Sequence, residues 1–177
     1  MQNMQIKYKV EKILDGYSIC FRQWQAAHSH CKYLHGYAIQ FKLHFEANTL
    51  DKHNWVWDFG WLKNPNLKID NMSVSEWFDY MFDHTVLVAH DDPELLKFQN
   101  LAQENIIQLR VVPQLSCEKI AQLVLEKITI LLDDVNKTNN KTNNYSGQNS
   151  NQQIRLTRVD VFEHAKNCAS AIAIINK

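Results

Sequence analysis

Apolar and polar residues alternate from the start of the chain. Residues 4–14 and 17–28 read as two strands separated by a turn at Asp15-Gly16. In the second, Cys20, Arg22, Trp24, Ala26 and His28 share a face, because strand side chains alternate. The cleanest alternation covers 35–46. Tyr37, Ile39, Phe41, Leu43 and Phe45 lie on one side, with Ala38, Gln40, Lys42, His44 and Glu46 on the other. That pattern predicts a half-buried antiparallel strand. The run "WVWDF" at 55–59 predicts a short aromatic strand.

The period then changes. In "SVSEWFDYMFDH", Trp77, Phe78, Met81 and Phe82 fall at helical spacing, with Ser73 or Ser75 as N-cap and Glu76 in the first turn. This helix is expected to end near Asp83-His84. "DDPELLKFQNLAQEN" predicts a second helix with Pro93 in its first turn. "IIQLRVVP" reads as a strand closed by Pro113. Ser116 then caps a helix over about 117–133, whose apolar face is Ile120, Leu123, Val124, Ile128 and Leu131. Residues 136–152 are Asn-rich with almost nothing to bury, and are expected to form a flexible loop. Alternation returns in "IRLTRVDVFEHA", where Ile154 and Leu156 are out of phase with Val159 and Val161, as across a bulge. "ASAIAII" closes the sheet. The expected fold is α+β: an antiparallel β-sheet with two main helices packed on one face, in ββααββ order. The 177 residues are read as one domain, 1–177.

Composition narrows the function classes. Nineteen basic residues balance nineteen acidic ones, which argues against a nucleic-acid binder. No apolar run approaches the roughly 20 residues of a spanning helix, and the N-terminus lacks the apolar centre of a secretory signal. A cytoplasmic protein without membrane association is the expectation. Cys20, Cys31, Cys117 and Cys168 form no CxxC pair, so free thiols are expected.

Candidate chemistry concentrates in "AAHSHCKYLHGYAIQF". His28, His30, Cys31 and His35 are residue types that bind a borderline-soft divalent metal. Cys31 reads either as a ligand or as a thiol that a neighbouring metal or imidazolium activates as base or nucleophile. Asp83-His84 is a carboxylate beside an imidazole, able to shuttle protons; a histidine favoured by the helix dipole is an equal reading. Glu163 ends a strand, where a carboxylate can hold a guanidine-like ring edge through two parallel hydrogen bonds.

Taken in order, "FRQWQAAH", "CKYLHG", "WVWDFGWLK", "FDH", "SCEKIA" and "VDVFEH" resemble the 6-pyruvoyltetrahydropterin synthase superfamily, from about residue 21 to 164. The nearest branch is bacterial 6-carboxytetrahydropterin synthase, of the queuosine (7-deazaguanine) pathway. The resemblance implies the tunnelling fold. It also implies homo-oligomers, trimers pairing into hexamers, with active sites at subunit interfaces. The implied cofactor is Zn2+, and the implied substrate is a pterin triphosphate, 7,8-dihydroneopterin triphosphate. Residue by residue, it makes His28 and His35 metal ligands, Cys31 the proton-transferring base, and Asp83 and His84 its partners. Glu163 becomes the pterin anchor, and Ser116 and Glu118 open a helix lining the pterin pocket. Asp58 and Phe59 match a structural D-F motif.

Three departures stand out. Where the family has H-G-H, this chain has His35-Gly36-Tyr37; the third ligand is then His30 by preference, with Tyr37 or Cys31 as alternatives. Only Ser29 and His30 separate the A-A-H motif from Cys31. Residues 86–115 are an extension, as is the 136–152 loop. Besides a zinc-dependent synthase, the residues admit a pterin- or purine-binding protein of the same fold without catalysis, an enzyme making the 6-pyruvoyl product, and an enzyme using Cys31 as a covalent nucleophile.

Overall fold

The computed structural model describes residues 5–139 and 152–174. Its first strand is β1, Tyr8–Phe21, antiparallel to β2, His35–Ala47. The expected turn at Asp15-Gly16 is instead a bulge inside this one long strand. Leu14 pairs with Phe41 and Tyr17 with Ile39, so Asp15 and Gly16 together oppose the single residue Gln40, one surplus residue on the β1 side, with Gly16 at φ +88°. The bulge shifts the alternation by one. Tyr8, Val10 and Leu14 before it, and Tyr17, Ile19 and Phe21 after it, therefore all contribute to the same core. Residues 22–28, expected to continue a strand, leave the sheet. The Gln23 amide donates to the Cys31 carbonyl at 2.8 Å, closing a loop that carries a 3-10 turn at His30–Lys32.

Another departure lies at 55–59. Asp51 Oδ1 accepts the amides of His53 and Trp55, both at 2.8 Å, and Asn54 sits at φ +65°. This turn bends the chain inward, so the aromatic run is no strand. Trp57 and Trp61 stack at 4.2 Å, and Phe45 meets both edge-on. The 3-10 helix Phe59–Lys63 is capped by Asp58 through the Gly60 amide.

A small hairpin, β3 (Lys68–Ile69) and β4 (Met72–Ser73), leads into α1, Val74–Phe82. Ser73 and Glu76 form the reciprocal capping box expected of Ser-x-x-Glu. The next strand, β5 (Thr85–Ala89), is buried throughout. It has no period-2 signature because both faces are covered, and sequence periodicity missed it. After α2 (Leu95–Gln103) comes β6, Leu109–Val112. β5 runs parallel to both β1 and β6, so the sheet is mixed rather than purely antiparallel. Phe98 of α2 packs on Val86 and Val88, on the sheet face opposite Leu87 and the main core. Strand β5, helix α2 and strand β6 widen the sheet and make up most of residues 86–115.

Helix α3, Cys117–Asn139, runs six residues past its expected end. Asn136 ties its last turns to the next strand, donating to the Ile154 carbonyl at 3.0 Å and accepting its amide at 3.3 Å. Residues 136–139 are therefore helix. Gln152, at the other end of the expected loop, is buried and its Nε2 donates to the carbonyls of Thr49, Trp55 and Val56. The rest of that loop, 140–151, lies outside the described residues. Strands β7 (Arg155–His164) and β8 (Asn167–Ile172) finish the sheet in the order β6-β5-β1-β2-β7-β8. The phase change in β7 is a bulge: His44 pairs with Arg158 and Phe45 with Leu156, leaving Thr157 over. The last strand begins two residues earlier than expected, and the end of its predicted span lies outside the described residues.

Helices α1 and α3 cover one face, packing Trp77, Phe78, Phe82, Ile120, Val124 and Ile128 on the β1–β2–β7 strands. The fold is α+β; β1, β2, α1, α3, β7 and β8 follow one another in ββααββ order, with the β3–β4 hairpin and β5–α2–β6 interposed. Among the described residues, no helix is long and apolar enough to cross a membrane.

Candidate active site

The site forms where β1 ends and β2 begins. Phe21 pairs with His35 and Ile19 with Tyr37. His35 and Tyr37 are two residues apart on one strand, so they share a face; their rings lie 4.8 Å apart. Phe21 sits 5.0 Å from the Tyr37 ring. His35 Nδ1 is 2.6 Å from the Tyr33 carbonyl oxygen, and its Nε2 is hydrogen-bonded to the Tyr37 hydroxyl.

Two further elements bring acid and thiol to the same place. Glu163, near the end of β7, accepts a hydrogen bond from the Cys117 thiol at 3.2 Å. Cys117 opens α3, whose start is set by Ser116: its Oγ accepts the Lys119 amide and its carbonyl the Ile120 amide. Burial, then the hydrogen bond to Glu163 and its charge, push the Cys117 thiol well above its ordinary pKa. Burial, followed by the charges of Glu163, Cys117 and Cys31, does the same to the Tyr37 phenol. Both are therefore neutral hydrogen-bond donors near pH 7. Cys31 reaches this group from the 3-10 turn, which is fixed by its amide donating to Ser29 Oγ at 3.1 Å.

The structure thus gathers Cys31, His35 and Glu163 of the predicted residues. Tyr37 joins them as a hydrogen-bonding member, and Cys117 is an addition the sequence reading passed over. Its one signal was its place directly after the cap, where a buried first-turn side chain faces the neighbouring strand.

The other predicted residues lie apart. His28 and His30 are exposed on the 26–30 loop, and among the described residues no three His, Cys, Asp or Glu side chains are grouped to hold a metal. Asp83 caps the C-terminus of α1, and its Oδ1 is 2.8 Å from His84 Nδ1. His84, at φ +53°, is mostly exposed and borders an open hollow with Ser18, Cys20 and Gly36. It precedes Thr85, which pairs with Ile19, which pairs with Tyr37. Two strand spacings, roughly 10 Å, therefore lie between this pair and the Tyr37 strand. Ser116 lines a separate hollow with Arg22, Trp24, Asp91 and Lys119, and Glu118 is exposed beside it.

A family model described as 6-pyruvoyl tetrahydropterin synthase matches residues 10–173. Two similar proteins are the 6-carboxy-5,6,7,8-tetrahydropterin synthases of Rickettsia typhi and Rickettsia felis, 33% and 30% identical over 92 residues. Each alignment covers 51% of this chain and 59% of the relative, so the chain spans under two thirds of the relatives' length. Among solved structures, an uncharacterized protein from Wolinella succinogenes superposes with TM-score 0.68 at 16% identity, covering 94% of this chain and 98% of that one. The 6-pyruvoyl tetrahydropterin synthase of Caenorhabditis elegans gives 0.55 at 16%, covering 96% and 98%. At that identity the structures show the fold, which is the tunnelling fold. The match from 10 to 173, together with this fold, places the chain in the 6-pyruvoyl tetrahydropterin synthase family.

Proposed function

We propose that this chain is a lyase of the tetrahydropterin synthase type. It converts 7,8-dihydroneopterin triphosphate and one water to 6-carboxytetrahydropterin, acetaldehyde and triphosphate, in queuosine biosynthesis in the cytoplasm. The observation that carries the reading is Glu163, a carboxylate held by Cys117 beside Tyr37 and Cys31 in a chain of this family.

In this reading Glu163 accepts the two N–H donors on the amino-pyrimidinone edge, displacing the Cys117 thiol. That fixes the ring and supplies orientation. Cys31 then moves a proton at the side-chain carbons. Asp83 fixes the His84 imidazole through Nδ1, leaving Nε2 for the second proton. Ser116, whose hydroxyl hydrogen is not used in capping, and Glu118 are the remaining substrate contacts, made from the neighbouring hollow. Because Asp83-His84 lies two strands from Tyr37, a complete constellation takes that pair from another copy of the chain. This supports a homo-oligomer, trimer or hexamer, with sites at subunit interfaces.

Zinc is the cofactor the resemblance implies, and His28, His30 and His35 are its proposed ligands. When bound, zinc would polarise the side-chain oxygens. The described arrangement does not fit it: two of these histidines point to solvent and the third has both ring nitrogens engaged. No step above passes through a metal.

The His35–Tyr37 bond also favours a second reading, a pterin-binding protein without turnover. Incubation with 7,8-dihydroneopterin triphosphate, with and without zinc, and chromatography of the products separates the two. Formation of 6-carboxytetrahydropterin supports the synthase, and the 6-pyruvoyl compound would reassign the branch. Tight pterin binding that survives Cys31→Ala, with no product under any metal condition, would establish the second reading.

A further inference from the structure

We infer that Tyr37 occupies the coordination position of His35, so that this side-chain cluster excludes a divalent metal and offers an organic ligand a hydrogen-bonding phenol instead. The inference goes beyond the proposed activity and stands whether or not the chain turns over a pterin.

A carbonyl oxygen only accepts, so His35 Nδ1, 2.6 Å from the Tyr33 carbonyl, carries the proton. In the neutral ring Nε2 then holds the lone pair. A histidine with its Nδ1–H on a carbonyl is the usual second shell of a metal-binding Nε2. Here that lone pair meets the Tyr37 hydroxyl. The phenol therefore stands where a metal would bind. It is not free to swing away, because Phe21 lies 5.0 Å from its ring and β1 pairs its backbone through Ile19. Among the described residues no three His, Cys, Asp or Glu side chains are grouped to hold a metal, and His28 and His30 are exposed on their loop.

The test is metal binding, read without turnover. The full chain is purified without added metal and analysed for zinc, then titrated with Co(II) by visible absorption. Wild type should carry well under one equivalent of zinc and develop no tetrahedral Co(II) bands at equimolar metal. Tyr37→His places a second imidazole two residues along the same strand face, and should raise Co(II) affinity by at least about 100-fold. Adding His35→Ala should remove that gain. One equivalent of zinc in wild type that His35→Ala abolishes would overturn the inference, as would a folded Tyr37→His chain with no gain. Should Tyr37→His fail to fold, 15N spectra of the wild-type histidines decide: an unprotonated His35 Nε2 unmoved by equimolar zinc supports the inference, and a zinc-induced shift overturns it. Failure of the proposed reaction would appear only in the turnover assay, so the two outcomes are distinguishable.

Discussion

The thiol of Cys117 donates to Glu163 Oε1 at 3.2 Å, joining the first turn of α3 to the end of β7 across 46 residues of sequence. Glu163 also interacts with the Tyr37 phenol, so the carboxylate bridges β7, α3 and β2. Glu163→Gln keeps the shape but converts one acceptor oxygen to a donor amide and removes the charge. Hydrogen bonds to a charged group contribute about 1.5–3 kcal/mol, so pterin affinity should fall roughly 10- to 150-fold. Fluorescence titration with a reduced-pterin analogue measures this, and an affinity within twofold of wild type would remove Glu163 from the site. Cys117→Ala should weaken binding far less, because a pterin N–H replaces the thiol.

Cys31→Ala separates chemistry from binding. If Cys31 moves a proton, turnover should drop by about 10²–10⁴ while pterin affinity stays near wild type. Single-turnover kinetics beside the same titration checks it. Equal losses in both would make Cys31 a binding residue.

Gly16 is the bulge residue at φ +88°, and an added Cβ there would meet nothing within 4 Å. The cost of Gly16→Ala is therefore conformational alone, about 1–2 kcal/mol. Gly36 has no positive φ and its added Cβ would meet only the Ile19 carbonyl at 3.5 Å, so Gly36→Ala should be near neutral. Urea unfolding of the two variants side by side tests whether the bulge needs glycine.

Arg22 grips Asp92 with two hydrogen bonds, Nε to Oδ2 at 2.9 Å and a second from Nη2 to Oδ1, holding the loop after β1 to the turn after β5. Burial alone would raise the Asp92 pKa, but hydrogen bonds from Arg22 and the Glu94 amide outweigh it and the net direction is down. A depressed carboxyl contributes stability that is complete above its unfolded pKa and is lost as pH falls through the folded one. Asp92→Asn should cost roughly 2–3 kcal/mol at pH 7, discounted from the fully buried case because Arg22 is partly exposed. The difference from wild type should shrink below about pH 4. A gap that persists undiminished at pH 3 would assign the loss to packing.

The alternating pattern of 35–46, the Ser73–Glu76 capping box, the Ser116 cap and the phase change in β7 were all legible because each is a local rule with a fixed period or offset. The family motifs likewise marked Cys31, His35 and Glu163 before their proximity was known. What the pattern could not express was context. Strand β5 carries no alternation because neighbours cover both its faces. The Asp15-Gly16 pair signals a turn equally well as a bulge, and only the pairing of Leu14 with Phe41 and Tyr17 with Ile39 decides between them. "WVWDF" has strand composition, but the Asp51 turn and the Trp57–Trp61 stack override it.

The site divides along the same line. Residue types, their order and a tyrosine two places after His35 are properties of the sequence by itself. It was the tertiary structure that put Cys117 against Glu163, sent His28 and His30 to solvent, and set Asp83-His84 two strands away. The physical reason is that spacing along one strand fixes which side chains share a face. Which faces, helix ends and strand ends then meet depends on sheet register and on long-range burial, and neither is encoded in any local window.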